Sequence, residues 1–378
     1  TSRPFRVLVA GGGTGDSTVM MAQQHADAGI AAEIVHLDIS DASIAIARAR
    51  IEARGLAGVR FVAGPIESLP ELGLGAFDYI DCCGVLHHLA DPPAGLGMLR
   101  DALAPAGGMG IMVYAPLGRT GVYHVQTMMR LIAGDAPDPE RIETARHLLG
   151  HLPETNWFRR NPHVGDHAVL GDAGIYDLLL HRRDRAYSVP ELMQLLQQGG
   201  MRPVNFVEPV RYEPSVYLSD PLLLDRLRPL NWVQRCAFAE LLCGSMKTHI
   251  LYAVRADNPE NTLALPDTPD AVPAMRDGDG PELAAKMRPG MSLTLDVNGT
   301  KLSLPLPDLA GEILARVDGR RSLADIHADI VRAAGDAGGA PDRETFRKAF
   351  DAVYGAFCGL SRMFIRRPDP VSRTGASR

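Results

Sequence analysis

Apolar and polar positions follow two alternating patterns in the first third of the chain. Short apolar runs, which are typical of buried strands, are separated by longer stretches whose apolar residues recur with helical spacing. The predicted strands cover residues 6–10, 32–37, 59–63, 77–83 and 109–114, with helices at 16–28 and 92–103 and a turn at 104–108. Strands that alternate with helices predict an α/β fold with a mostly parallel sheet.

The same pattern returns much later in the chain. Ser188 and Glu191 have the spacing of a capping box, and glycines follow at the expected helix end, so residues 188–198 predict a helix. Residues 203–208 and 248–255 then complete a predicted sheet of seven strands.

Two helical insertions, of about residues 117–187 and 209–247, interrupt this sheet pattern. Ligands of open α/β sheets bind outside the carboxyl ends of the strands. The first insertion leaves the sheet from that edge, directly after the fifth strand. We therefore expect it to form a lid over a ligand site.

The composition changes after residue 256, where the predicted first domain (residues 1–256) ends. Proline and acidic residues without periodicity at 257–280 predict a linker. Residues 281–367 predict a small α+β domain, and residues 368–378 a disordered tail. The elements of the small domain are strands at 292–297 and 300–304 around Asn298-Gly299, helices near 308–316, 322–333 and 342–360, and a closing strand at 364–365.

Composition and charge narrow the class of protein. The 378 residues are 46% hydrophobic and 22% charged, as in a soluble globular protein of two domains. The formal net charge of -6 disfavours nucleic acid and anionic membranes as partners. The sequence shows no membrane span and no signal peptide, and its five cysteines form no C-x-x-C pair, so we expect a cytoplasmic location.

A glycine-rich turn joins the first predicted strand to the first helix. Gly11, Gly13 and Gly15 fit the pattern G-x-G-x-G. The dinucleotide pattern G-x-G-x-x-G is not met, because Asp16 stands where its third glycine belongs. A strand, a glycine turn and a helix together bring backbone amides close to a ligand at the helix N-terminus. Asp38 follows the second strand, where a carboxylate can accept from both hydroxyls of a ribose.

Taken as a set, these motifs resemble those of the class I S-adenosylmethionine (SAM) dependent methyltransferases, from residue 6 to about 116. The resemblance implies a Rossmann-like, mostly parallel sheet of seven strands, the seventh antiparallel, and SAM as the cofactor. It also implies cofactor-binding residues after each of the first four strands. These are Ala10, Gly11, Gly13, Gly15, Asp38, Ile39, Pro65, Ile66, Cys83 and Gly84.

The sequence departs from that family at three places. Val9 stands where many members have an acidic residue in the first strand, and Pro65 where many hold the adenine amine with a carboxylate. Adenine recognition is therefore expected from backbone groups near Ile66 and from apolar packing. The first strand begins soon after Thr1, so either the chain is trimmed from a longer polypeptide or the usual N-terminal cover comes from elsewhere.

Candidate catalytic residues are His87, His88 and Tyr114, which follow strands four and five. A base is needed only if the acceptor holds a proton at the working pH. The lid adds Trp157 and several arginines, which suit an acidic or aromatic acceptor or form a charged surface. His163, Asp166, His167 and His181 of the lid could suggest a metal site. Because histidine-rich loops are usually solvated surface, we predict no metal there. The Asn-Pro-Pro-Tyr signature of amine methylation on nucleic acid bases is absent, and Asp81-Cys-Cys-Gly84 takes its place.

Three functions remain open at this point. The first is methyl transfer from SAM to a protein side chain or small metabolite held under the lid. The second is a SAM-binding assembly module without turnover, and the third is an NAD-dependent oxidoreductase, which the glycine spacing disfavours. The small C-terminal domain resembles the winged-helix-like peptide chaperone of pyrroloquinoline quinone biosynthesis through Gly311-Glu-Ile-Leu and 318–326. A docking or homodimer contact is the plainer interpretation of that domain.

Overall fold

The computed structural model describes residues 3–258, 263–297, 300–335 and 339–366. By their internal contacts the residues form two compact units. The first unit comprises Thr1–Phe206 and Asn231–Glu260, and the second comprises Val207–Leu230 and Asn261–Arg378. Both units are therefore assembled from two separate pieces of the chain.

The first unit is built on a sheet of seven strands in the order β3-β2-β1-β4-β5-β7-β6. All neighbouring pairs are parallel except those of β7, which runs antiparallel to β5 and to β6. This confirms the predicted Rossmann-like α/β fold. The strands are β1 (Phe5–Ala10), β2 (Ala32–Asp38), β3 (Val59–Ala63), β4 (Phe77–Cys83), β5 (Leu103–Tyr114), β6 (Met201–Phe206) and β7 (Thr248–Arg255).

Helices connect the strands of the sheet and form most of the insertion after β5. Glu191 accepts hydrogen bonds from the amide and the hydroxyl of Ser188, at 2.9 and 2.8 Å, so the predicted capping box begins the ninth helix. The helices are α1 (Asp16–Asp27), α2 (Asp41–Ala53), α3 (Pro92–Ala102), α4 (Val122–Ala133), α5 (Asp138–Gly150), α6 (Trp157–Arg160), α7 (Asp166–Val169), α8 (Gly171–Ile175), α9 (Val189–Gln198) and α11 (Trp232–Cys243), with a π-helical turn at Tyr176–Leu180.

The central strands are buried on both faces, as parallel strands between helices must be. Val7 and Leu8 of β1 are fully buried, and Val7 lies in register with Ile34 of β2. This burial explains why the strand sequences are continuous apolar runs. The glycine turn after β1 therefore follows a strand that is packed on both faces.

The fifth strand is longer than predicted. Residues 104–108 were expected to turn, but β5 already begins at Leu103, which pairs with Phe77. A Cβ on Gly107 would come within 3.0 Å of the carbonyl oxygen of Asp78. Small residues therefore let this segment approach β4 through a register shift, although its sequence has no strand pattern.

The first predicted insertion, 117–187, lies within the first unit and has a core of its own. Its helices α4 and α5 and the π-helical turn pack around Val125, Met129 and Leu179, all of which are buried. The insertion is therefore a folded substructure, and its last residues return to the sheet at Tyr187, whose amide donates to the carbonyl of Tyr114 at 2.8 Å.

The second unit contains one long helix against which shorter elements pack. Phe350 and Val353 of that helix are fully buried, together with Ile313 and Ile326 from its neighbours. Its elements are α10 (Pro221–Leu227), β8 (Val272–Met275), α12 (Gly280–Ala284), β9 (Ser292–Val297), β10 (Thr300–Pro305), α13 (Ala310–Leu314), α14 (Leu323–Ala334), α15 (Arg343–Gly359) and β11 (Met363–Arg366).

Part of the predicted linker is a strand. Within 257–280, β8 pairs antiparallel with β11, and Ala271 and Val272 are buried in the core of the second unit. The sequence did not predict this strand, because its four residues are few and include a proline. The tip Asn298-Gly299 of the predicted hairpin and the predicted tail at 368–378 lie outside the described residues, while β9 and β10 pair antiparallel as expected.

The second predicted insertion divides between the two units. Residues 231–247 contain α11 and stay in the first unit, whereas 207–230 join the second. There Val210 packs with Leu302 and Leu360, and the amide of Glu208 donates to the hydroxyl of Ser361 at 2.8 Å. The second unit therefore depends on a segment far from it in sequence.

No helix among the described residues is both long enough and apolar enough to cross a membrane.

Because Val210 is only 8% exposed inside this contact, Val210→Asp should destabilise the second unit. An unpaired buried charge costs about 3 kcal/mol or more. Hydrogen exchange of the α15 amides should become markedly faster. Leu222→Asp, in the same segment but 66% exposed, is the matched control and should leave exchange unchanged. Equal exchange in both variants would mean that segment 207–230 contributes nothing to the second unit.

Candidate functional site

Ten predicted site residues lie at one edge of the sheet. Parallel strands end together, so the residues after β1, β2, β3 and β4 share the carboxyl edge. The amides of Gly11 and Gly12 both donate to the carbonyl of Leu37, at 2.8 and 3.0 Å, and that of Gly64 donates to the carbonyl of Asp38 at 2.8 Å. These bonds tie the loops after three of the four strands to each other.

The glycine turn needs its glycines for different reasons. Gly11 and Gly15 have φ of 71° and 94°, and an added Cβ would meet Val85 at 2.3 Å or Ala47 at 2.7 Å. Gly13 has φ of 53°, but a Cβ there would meet nothing within 4 Å. The first two are required by packing, whereas Gly13 faces open space. Gly12, which the sequence did not single out, would drive a Cβ into the ring of His36.

Asp38 holds the glycine turn directly. One carboxylate oxygen accepts from the amide of Gly13 at 2.7 Å and the other from the amide of Ser40 at 2.8 Å. A carboxylate offers about four acceptor positions, so two remain for a ligand. Asp38 therefore both fixes the loop and keeps acceptor capacity beside it.

The other predicted binding residues take their places around this turn. Ala10 is buried at the end of β1. Ile66, in the loop after β3, is 4% exposed. Ile39 is 77% exposed directly after Asp38, which leaves a large apolar side chain open to solvent at the carboxyl edge. The three remaining ones, Pro65, Cys83 and Gly84, lie at the ends of β3 and β4, and the amide of Gly84 donates to the carbonyl of Met112 at 3.1 Å.

His87 is a buried, neutral ring. It is 2% exposed, and neither ring nitrogen has a hydrogen-bond partner among the described residues. Its ring lies 4.0 Å from that of Tyr114 and 4.2 Å from that of His88, measured between centroids. Burial lowers the pKa of His87 to about 2. In this arrangement His87 packs against the other two candidates and does not act as a base.

His88 has a defined tautomer. Its Nδ1 lies 2.6 Å from the carbonyl oxygen of Arg183, and a carbonyl only accepts, so Nδ1 carries the proton. Burial lowers the pKa of His88, and the ring is therefore neutral near pH 7. A neutral ring protonated on Nδ1 leaves the lone pair on Nε2. His88 thus presents a base that Arg183 holds in place.

His181 joins His88 from the lid. The two rings lie 3.8 Å apart, and His181 Nδ1 approaches the same carbonyl oxygen of Arg183 at 2.6 Å. The amide of Arg183 also points to this nitrogen, at 3.3 Å. The shorter contact decides the tautomer, because a carbonyl at 2.6 Å requires a donor. Both histidines therefore direct Nδ1 to one carbonyl oxygen of the segment 181–187, which we call the strap.

A buried ion pair that the sequence does not predict fixes the strap. Arg119 and Asp184 meet at 2.8 Å with side chains only 5% and 0% exposed. Gln126 donates to the same carboxylate at 2.7 Å, and Arg119 also stacks 3.7 Å above the ring of Tyr114. Since the partners are 65 positions apart and lie among several other arginines, no spacing rule could have paired them.

Tyr114 closes the cluster at the end of β5. Its hydroxyl donates to Asp177 of the π-helical turn at 3.4 Å. Burial raises the pKa of Tyr114, so the hydroxyl keeps its proton. Tyr114 can therefore donate a hydrogen bond or pack against an acceptor, but it is not a base at neutral pH.

The expected recognition side chains of the lid lie elsewhere. Trp157 is 56% exposed, and Arg159 donates to the carbonyl of Leu152 at 2.6 Å. Within the described residues, neither these two side chains nor Arg160 form a hydrogen bond or ion pair with His87, His88 or His181. In the described part of the chain, no three histidine, cysteine or acidic side chains are grouped to hold a metal ion.

Comparison with known proteins finds similarity to methyltransferases in the first third of the chain. Residues 8–109 match the model of a methyltransferase domain. An uncharacterized protein from a Synechococcus species is 32% identical over 244 residues, which are 63% of this chain and 57% of that protein. A demethylmenaquinone methyltransferase from Thermus thermophilus is 35% identical over 113 residues, 30% of this chain and 49% of that enzyme. The chain spans about half the length of these two relatives.

A solved structure shares the fold over nearly the whole chain. PKMT2 from Rickettsia typhi in complex with AdoHcy aligns with a TM-score of 0.63 and 15% identity, covering 97% of this chain and 72% of that one. At this identity the likeness concerns the fold. Residues 8–109 therefore match a methyltransferase domain, and the fold agrees with the expected resemblance to class I methyltransferases.

The residues present fit SAM. Gly13 opens onto free space, and Asp38 keeps two acceptor positions beside it. The amides at the start of α1 receive no side-chain cap, because Gly15 stands at the N-cap. An uncapped helix N-terminus favours a carboxylate such as that of the methionine part.

Two glycine variants test whether the open space at Gly13 is the SAM site. Gly13→Ala and Gly29→Ala both place a side chain at positive φ, 53° and 63°, with no neighbour within 4 Å. Each should lose about 1 kcal/mol of stability. Only Gly13→Ala should weaken SAM binding in calorimetry. Equal SAM affinity in both variants would move the site away from the turn.

The pH dependence of stability tests the burial of His87. When unfolded, this histidine takes up a proton near its ordinary pKa of 6.5, whereas the folded protein keeps it neutral. Stability should therefore fall as the pH drops below about 6.5, by about 1.4 kcal/mol per pH unit from this group. Urea unfolding of His87→Leu should show a shallower acid slope than wild type. The exposed variant His151→Leu should keep the wild-type slope, and an unchanged slope in His87→Leu would contradict the assignment.

Proposed function

We propose that the protein transfers a methyl group from SAM to an amine or hydroxyl group of a protein side chain or small metabolite. The acceptor enters beside the strap, where His88 takes up the proton that it releases. The observation that carries this proposal is the tautomer of His88, whose Nδ1 is committed to the carbonyl of Arg183 at 2.6 Å. Its Nε2 is thereby left as a base.

The carboxyl edge of the sheet divides into two parts. The loops after β1, β2 and β3 hold SAM, with Gly13 in contact with it, Asp38 on the ribose, and Ile39 and Ile66 against the adenine. When bound, SAM supplies an electrophilic methyl group on a sulfonium. The turn after β4 that carries His87 and His88, together with the end of β5, holds the acceptor, since the histidine cluster lies there.

The lid contributes to the acceptor side through its C-terminal end. His181, Asp177 and the Arg183 carbonyl all belong to residues 176–187, and all three contact His88 or Tyr114. The role in acceptor choice that the sequence suggested for Trp157 and Arg159 therefore passes to this shorter segment.

His88→Asn tests the base. The Asn amide can still donate to the Arg183 carbonyl from a position close to that of Nδ1, but it offers no basic nitrogen. Methyl transfer should fall at least about 100-fold, because general bases contribute on this scale. SAM affinity should stay near wild type. Incubation with tritiated-methyl SAM and cell-lysate fractions, separated into protein and small molecules, measures the transfer.

His151→Asn is the matched control, since Nδ1 of His151 also contacts a backbone carbonyl, that of His147 at 2.7 Å, on an exposed helix end. It should transfer at the wild-type rate. Because burial lowers the pKa of His88, wild-type transfer should persist below about pH 6.5. A His88→Asn variant as active as wild type would exclude His88. A wild type that binds SAM and labels nothing would favour the binding module without turnover.

A further inference from the structure

A second carboxylate lies beneath the carboxyl edge, next to the glycine turn. Asp81 belongs to β4 and pairs in register with Val9 of β1, two residues before Gly11. It is 6% exposed. Cys83, two positions later, lies on the same face of β4 and is exposed at the strand end. Asp81 is thus one step below the surface on which SAM is expected.

Among the described residues, the side chains that form hydrogen bonds with Asp81 are neutral. Ser17, in the first turn of α1, donates its hydroxyl to Oδ2 at 2.5 Å, and the thiol of Cys83 approaches Oδ1 at 3.6 Å. In the described residues, no lysine, arginine or histidine forms an ion pair with this carboxylate. Burial raises the pKa of Asp81 above its ordinary value, and the hydrogen bonds from Ser17 and Cys83 offset only part of that rise. A buried anion without a cation is costly, unless a ligand brings the missing positive charge.

The two ligands of a methyltransferase differ in that charge. SAM carries a positive sulfur, and the sulfur of AdoHcy is neutral once the methyl group has left. Their other ionisable groups are the same. A fixed negative charge in a poorly hydrated site therefore stabilises SAM more than AdoHcy, and this difference helps the product to leave.

We propose that Asp81 is the specificity-determining charge that makes this site prefer SAM over AdoHcy. The carboxylate acts through the electric field of the buried strand end and need not touch the ligand. Ser17 and Cys83 hold it in place from α1 and from the end of β4. This inference rests on the SAM site described above but not on the identity of the acceptor.

Calorimetry with SAM and with AdoHcy tests the proposal without any turnover. Asp81→Asn should weaken SAM binding roughly tenfold while changing AdoHcy binding less than twofold. Asp81→Ser, a smaller neutral residue, should act in the same way if the first variant folds poorly. Asp78→Asn is the control: this carboxylate lies at the opposite end of β4 and pairs with Arg3 at 2.6 Å. Its ratio of the two affinities should equal that of wild type.

A relocated charge separates a field effect from a packing effect. The double variant Val9→Asp with Asp81→Val keeps one carboxylate on the same face, moved to the neighbouring strand. It should recover a preference for SAM that Asp81→Val alone lacks. Equal losses for both ligands in Asp81→Asn, or no loss for either, would overturn the proposal. So would failure of every Asp81 variant to fold, which would make the carboxylate a requirement of the fold. A wild type that binds neither ligand would instead refute the SAM site itself.

Discussion

The side chain of Asp184 has no access to solvent, and its charge is balanced by Arg119. This ion pair is the constraint on which the position of the strap and of the histidine cluster depends. Asp184 sits between Arg183, whose carbonyl orients His88 and His181, and Arg185, whose amide donates to the carbonyl of His87 at 3.2 Å. A buried carboxylate that lost its cation would cost about 3–5 kcal/mol, so the strap has one position in the folded protein. The tautomer of His88 follows from that position.

The two sides of the carboxyl edge are built by different means. The side proposed to bind SAM consists of backbone amides held by short turns, with Asp38 accepting from two of them. The side proposed to bind the acceptor consists of side-chain rings, of which His87 is the buried layer and His88 and His181 the outer one. Backbone contacts suit a ligand that never changes. Side chains carried on an insertion suit an acceptor that differs among proteins with the same sheet.

The sequence predicted the sheet and the glycine turn beside Asp38 because both are local. The run from Val7 to Gly15 contains a strand, its turn and a helix start, and Asp38 follows its strand directly. It could not predict the contact of Asp184 with Arg119 or of Val210 with Leu360, because these join distant segments without any repeating pattern. The strand β8 was missed for a related reason, since it is short and pairs with β11, which lies far from it in the sequence.

The order in which the chain is made has a consequence for how it matures. Residues 207–230 leave the ribosome before 231–258, yet they belong to a unit whose remaining residues are synthesised later. Val210 of this early segment must wait for Leu302 and Leu360. During that interval the segment lacks the partners that bury it in the folded unit. Each unit consists of two separate pieces of the chain. A single crossover between genes therefore cannot exchange one whole unit without the other.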